Sequence, residues 1–197
     1  PLIKGNVKVY ASTDPDAIPE DVPVAMADIS DLKMTIITND PAKRYYYTLL
    51  FGDKYRVKIA TRNVNIPGIQ NFRDLGGYPS YSTKKQVRWG MIYRSAEIDS
   101  LECYSRRELR NLGIKTLIDL RASSETGRQS PLQKEFNVVH IPLATGDMEN
   151  ILKGIREEKI KSDTVYRMVE QMNRDLIDKY TTEYRQIFDI LLDKNSY

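Results

Sequence analysis

Asn71-Phe72-Arg73-Asp74-Leu75-Gly76-Gly77-Tyr78 is the stretch from which the fold of this chain is read. Within four positions it offers an amide, a guanidinium and a carboxylate. Phe72 and Leu75 supply apolar anchors for a turn. Gly76-Gly77 permits positive φ and lets another backbone approach closely. On residue chemistry alone the octapeptide also reads as an ordinary polar turn at the start of a domain.

Upstream of it, residues 1–65 read as β structure. Asn6 to Ser12 alternates, with Val7 and Val9 set against Lys8 and Tyr10. Turn-rich Asp14-Pro15-Asp16 and Pro19-Glu20-Asp21 precede a further apolar run, Met34 to Thr38. Arg44 to Ala60 reads as a hairpin. Tyr45, Tyr47, Leu49 and Phe51 share one face, Gly52-Asp53 turns the chain, and Tyr55, Val57 and Ile59 alternate with Arg56, Lys58 and Ala60. Lysine and arginine are expected on its outer face. Together these strands suggest a small all-β immunoglobulin/fibronectin-like sandwich. Tyr45-Tyr46-Tyr47 is compatible with a sugar or peptide platform, but half-buried strand tyrosines are the simpler reading.

Alternation stops over Asn63 to Gln70, which marks a boundary between residues 1–65 and 66–197. Past the octapeptide, Val87 to Ser95 reads as a strand. Ser105 and Glu108 fit a capping box opening a helix that buries Leu109 and Leu112 and stops at Gly113. Ile114 to Leu120 reads as a buried parallel strand and Phe136 to Leu143 as another. Three helices follow: Met148 to Arg156, one capped by Ser162 or Asp163, and one from Thr181 or Thr182. Their apolar stripes, Val165, Met168, Val169, Met172, Leu176 and Ile177, then Tyr184, Ile187, Phe188 and Leu191, are expected to form core.

Composition narrows the function. The 197 residues are 41% hydrophobic and 29% charged, which is ordinary for a globular protein. A net charge of +3 lacks the concentrated basic face of a nucleic-acid binder. No apolar run is long enough to cross a bilayer. The single cysteine, Cys103, rules out an internal disulfide framework and a cysteine zinc cluster. The chain opens on Pro1 rather than Met, so a native start, with or without a signal peptide, is expected upstream.

The octapeptide, Arg88-Trp-Gly-Met-Ile-Tyr-Arg94-Ser95, Leu112 through Arg121, His140-Ile-Pro-Leu143 and Tyr180-Thr-Thr-Glu-Tyr-Arg-Gln186 occur in a fixed order across residues 66–197. This ordered set resembles the bacterial cysteine-dependent tyrosine phosphatase family that includes secreted phosphatases of mycobacteria and Listeria. The resemblance implies an α/β fold, a mostly parallel sheet with helices, behind the all-β domain. It also implies phosphomonoester hydrolysis through a phosphocysteine intermediate, with no cofactor and no metal. The implied substrates are a phosphorylated protein, a small phosphoester or a phosphoinositide. An exported location is implied, with the cytoplasm as alternative, and the oligomeric state is left open.

Members of that family work with a His-Cys-x5-Arg loop between a buried strand and a helix. A cysteine at a helix N-terminus, ringed by backbone N–H groups, is held as the thiolate that attacks phosphorus. The arginine forks onto two phosphoryl oxygens. This sequence does not contain the loop: Leu109 stands six places after Cys103, and Ile141 follows His140. Cys103 is therefore read as incidental and His140 as structural. The loop is expected beyond Tyr197, leaving the chain as given inactive; the alternative is a catalytically inactive pseudophosphatase or binding module. By the same resemblance Arg73 and Asp74 brace or border the phosphate loop, and Arg94 and Arg121 orient a carboxylate or attract the anionic substrate. Asp119 ends a parallel strand near the site, Asp147 is the candidate general acid, and Tyr180 belongs to a helical lid. Ion-pair scaffolding is the competing reading for the charged residues.

Overall fold

Alternation places Asn6–Ser12 in the first strand, β1, and the backbone agrees. The computed structural model describes residues 4–17, 22–37, 43–126, 131–144 and 148–196. β1 pairs antiparallel with β2 (Ala25–Asp28) on one side and with β3 (Tyr46–Phe51) on the other. β3 turns at Gly52-Asp53 into β4 (Tyr55–Ala60), so the sheet runs β2-β1-β3-β4. Both turn residues have φ of +54°, the type I′ geometry whose twist matches the strands it joins. An ion pair of 2.7 Å from Lys8 to Asp53 ties the turn to β1.

Which face is covered differs from the expectation. Tyr46 and Thr48 are buried along with Tyr10, whereas Tyr55, Val57 and Ile59 are exposed. The Tyr46 hydroxyl has a polar partner in Arg44, so burying it leaves no orphaned group. Lys58, expected to point outward, donates to the carbonyls of Pro15 and Ala17. Met34 to Ile37 adopts no strand; Thr38 and Pro19 to Asp21 lie outside the described residues.

After Ala60 come four short strands. β5 (Arg73–Asp74) pairs with β8 (Tyr93–Arg94), and β6 (Pro79–Ser80) with β7 (Lys85–Gln86), all antiparallel. The long strand expected over Val87 to Ser95 is broken. Gly90 has φ of +76°, outside the β region, and its N–H donates to the Asp74 carboxylate at 2.8 Å. Ile66, Ile69, Phe72 and Trp89 are buried here. Residues 1–98 make one compact unit and residues 99–197 a second. The change in sequence texture at 65/66 therefore falls inside the first.

In the second unit α1 (Cys103–Asn111) starts three residues earlier than the capping box would place it. Glu102 takes the extended N-cap backbone without a side-chain bond, and Ser105 is buried one turn in. Gly113, at φ +77°, ends the helix as expected, its N–H bonding back to Arg110 at 2.8 Å. β9 (Thr116–Asp119) then pairs in parallel with β10 (Asn137–His140). Leu101, Leu109, Leu132, Phe136, Ile141 and Leu143 form the core around them. α2 (Met148–Arg156), α3 (Ser162–Lys179) and α4 (Thr181–Leu192) follow. The cap of α3 is Lys161, ahead of the expected Ser162 or Asp163. The helix stripes are not buried core: Val165, Met168, Met172, Leu176, Tyr184, Ile187 and Leu191 are half-buried, and Val169, Ile177 and Phe188 are exposed.

Candidate functional site

The octapeptide is built around Asp74, whose side chain is wholly buried. One carboxylate oxygen accepts the Gly76 N–H at 2.7 Å. The other accepts the Gly90 N–H at 2.8 Å and lies 2.8 Å from the Arg44 guanidinium. Arg44 also donates to the Tyr46 and Tyr93 hydroxyls and to the Thr61 carbonyl. Burial pushes the Tyr93 and Tyr46 phenols above the ordinary tyrosine value. Trp89 lies against Gly76 and Gly77, and Arg62 stacks on Tyr78 while donating to the Gly76 carbonyl at 2.7 Å. Asp74 thus acts inside the protein, as the anchor of a turn.

Arg73, its neighbour, faces the other way. Arg73 and Arg94 are direct partners across the β5–β8 ladder, and Asn63 bridges Arg73 from the opposite side. Arg73 is half-buried and donates to Asn71 Oδ1 at 3.0 Å; Arg94 is exposed.

In the second unit the chemistry gathers where β9 ends. Arg121 forks onto Asp119, Nε to Oδ1 at 3.0 Å and Nη2 to Oδ2 at 2.8 Å, while its Nη1 reaches Asp99 at 2.8 Å. The Arg121 backbone N–H also donates to Asp119 Oδ1 at 3.0 Å. Hydrogen bonds from Arg121 hold the Asp119 carboxyl below its ordinary range, against the opposing effect of partial burial. His140 Nε2 lies 2.8 Å from the Arg121 carbonyl. A carbonyl only accepts, so this nitrogen carries the proton, and His140 closes β10 onto the loop after β9. Tyr180, between α3 and α4, donates its hydroxyl to the Ala144 carbonyl at 2.8 Å.

Of the residues singled out in the sequence, the structure therefore brings Arg73 together with Arg94, and Asp119 with Arg121. Asp147 lies outside the described residues. Cys103 is exposed at the first position of α1, with the Arg106 guanidinium 3.0 Å from its sulfur and no strand leading into it. Arg44, Arg62, Asn63 and Asp99 carried no local signal in the sequence; only the packed chain reveals them. Among the described residues no three His, Cys, Asp or Glu side chains are grouped to hold a metal, and no helix is long and apolar enough to cross a membrane.

Comparison with known proteins bears on this arrangement. Residues 64–197 match the sequence model of the tyrosine phosphatase family. A stretch of 66 residues, 34% of the chain, is 39% identical to the triple specificity protein phosphatase PtpB of Mycobacterium tuberculosis. That match spans 22% of the length of PtpB.

Proposed function

The chain belongs to the tyrosine phosphatase family, and from that premise we propose that the whole protein hydrolyses phosphate monoesters through a phosphocysteine intermediate. The observation that carries this reading is the family match across residues 64–197, which holds both the Arg73–Arg94 ladder and the Asp119–Arg121 pair. The nucleophile is a cysteine thiolate in a Cys-x5-Arg loop supplied by residues outside this sequence. It attacks phosphorus and displaces the substrate oxygen, which takes a proton from a carboxylic acid, and water then cleaves the S–P bond. Asp147 is the acid proposed here.

Each unit of the chain holds residues fitted to that chemistry. Arg121, clamped by Asp119 and Asp99, is a positioning residue at the C-terminal end of a parallel strand, where α/β sheets place their ligands. Asp74 fixes the turn from which Arg73 projects, and Tyr180 joins the α3–α4 pair to the loop after β10. In this reading residues 66–197 are the front part of a cysteine-phosphatase domain with a mostly parallel sheet. The antiparallel sheet of residues 1–65 belongs to an immunoglobulin/fibronectin-like module, and the protein is exported. Substrates are phosphorylated proteins or small phosphoesters, phosphoinositides among them.

The test is hydrolysis of a phosphotyrosyl peptide by the full-length native protein. Turnover blocked by vanadate and indifferent to EDTA is expected. No turnover by the folded protein would instead support a catalytically inactive binding module.

A further inference from the structure

Directly opposed residues of an antiparallel ladder project to one face. Asn63, Arg73 and Arg94 therefore stand abreast on one face of this short ladder, with Asp74 and Tyr93 on the other. Like charges held opposite each other cost stability unless something neutralises them. The hydrogen-bond partner of Arg73 is the neutral Asn71 amide, and neither guanidinium has a carboxylate partner among the described residues. Between Asp74, which Arg44 engages on the other face, and Glu97 the sequence carries Lys84, Lys85, Arg88 and Arg94 and no acid. Of these, Arg88 is engaged by Asp16.

We propose that Arg73 and Arg94 bind a phosphate monoester dianion separate from the phosphoryl group being cleaved, so that the substrate carries a second phosphate. Calling the ligand a substrate rests on the phosphatase reading above; the site itself rests on the ladder. In that reading the scissile group is gripped by the arginine of its own loop. The two opposed forks each match a pair of phosphate oxygens, and the Asn63 amide offers a further N–H beside them. Because Arg94 is exposed and Arg73 half-buried, the rest of the ligand stays in water and binding weakens with salt.

The test titrates inorganic phosphate into the 197-residue chain at low ionic strength, by calorimetry, alongside Arg94→Gln and Arg73→Gln. Saturable binding is expected, weakened about tenfold or more by either change. Lys33→Gln, the same charge change on an exposed residue elsewhere, should alter it less than about twofold. Arg94→Lys, which keeps the charge and loses the fork, should fall between. Arg94 is exposed, so its variants decide the matter even where Arg73→Gln fails to fold. Soluble inositol hexakisphosphate and vesicles carrying phosphatidylinositol phosphate then identify the source: preference for the first assigns a free polyphosphate, for the second a lipid headgroup. Absence of saturable phosphate binding, or equal weakening by Arg94→Gln and Lys33→Gln, overturns the site. Failure of the full-length protein to hydrolyse phosphotyrosyl peptide, with phosphate binding intact, removes the phosphatase reading and leaves the site standing.

Discussion

The Arg44 guanidinium stands 2.8 Å from the carboxylate of Asp74, which has no solvent exposure. The two are separated by a stretch that the sequence divides into different domains, yet they form one ion pair within the first unit. The octapeptide is thus held partly by a residue from the segment that leads into β3, an inner strand of the β-sheet. Removing one partner of a buried pair strands the other, which costs more than the pair itself contributes. Arg44→Gln is therefore expected to lower stability by about 3–5 kcal/mol. Urea unfolding followed by circular dichroism measures it; a loss within error would mean that water, rather than Arg44, satisfies Asp74.

Gly76 carries a second constraint on the same turn. A Cβ there would lie 2.5 Å from the Trp89 Cα, a backbone atom that cannot swing away. Gly76→Ala is expected to cost about 1–3 kcal/mol through overpacking. Gly77→Ala meets the Trp89 ring instead and adds backbone strain, because Gly77 has φ of +72°. Thermal unfolding of the two variants, with Gly113→Ala as the comparison, checks this. Gly113 also has positive φ but open space at its Cβ position, so its loss should be the strain alone.

These two relationships mark where sequence reading succeeds and where it stops. The β3–β4 hairpin was legible because Gly52-Asp53 and the flanking alternation are local signals, and the Gly113 stop of α1 was legible for the same reason. The break in Val87 to Ser95 was not, since it depends on Asp74 capturing the Gly90 N–H from 16 residues away. The covered face of the hairpin is not the one that lysine and arginine on the outer side would give: a tyrosine fits either face, and Arg44 makes Tyr46 the one to bury. In the candidate site, Arg121 and Asp119 announced themselves by standing two apart at a strand end, whereas Asp99 meets them only through the fold.

Alkali should probe the first unit through the phenols of its β-strands. Burial raises the folded-state values of Tyr93, Tyr46 and Tyr47 above the ordinary 10.0. The unfolded chain then loses these protons first. The stability they contribute is complete below that value and declines as pH rises past it toward the folded values. An ultraviolet titration is expected to show these three of the 13 tyrosines lagging until the protein unfolds. Thirteen phenols titrating together in a folded protein would contradict the burial.

Acid should probe the second unit with the opposite sign. Arg121 depresses the folded-state value of Asp119 below the ordinary 3.8. Stability from that pair is therefore present above 3.8 and is lost as pH falls through the folded value. Asp119→Asn removes the charge and one half of the fork, and because the pair is partly solvated the cost at neutral pH is about 1 kcal/mol. The gap between wild type and variant should close as the pH drops below the carboxylate range, since both chains then carry a neutral side chain at this position. Urea midpoints measured at neutral pH and in acid read the gap directly. A gap that stays constant would show that Asp119 contributes through its shape and backbone hydrogen bond to Arg121 rather than through its charge. The same variant separates the two readings of Arg121 in the full-length protein. If Arg121 is a positioning residue, loosening its clamp lowers kcat by about tenfold at a nearly unchanged KM. If it only scaffolds the loop, kcat holds while stability falls.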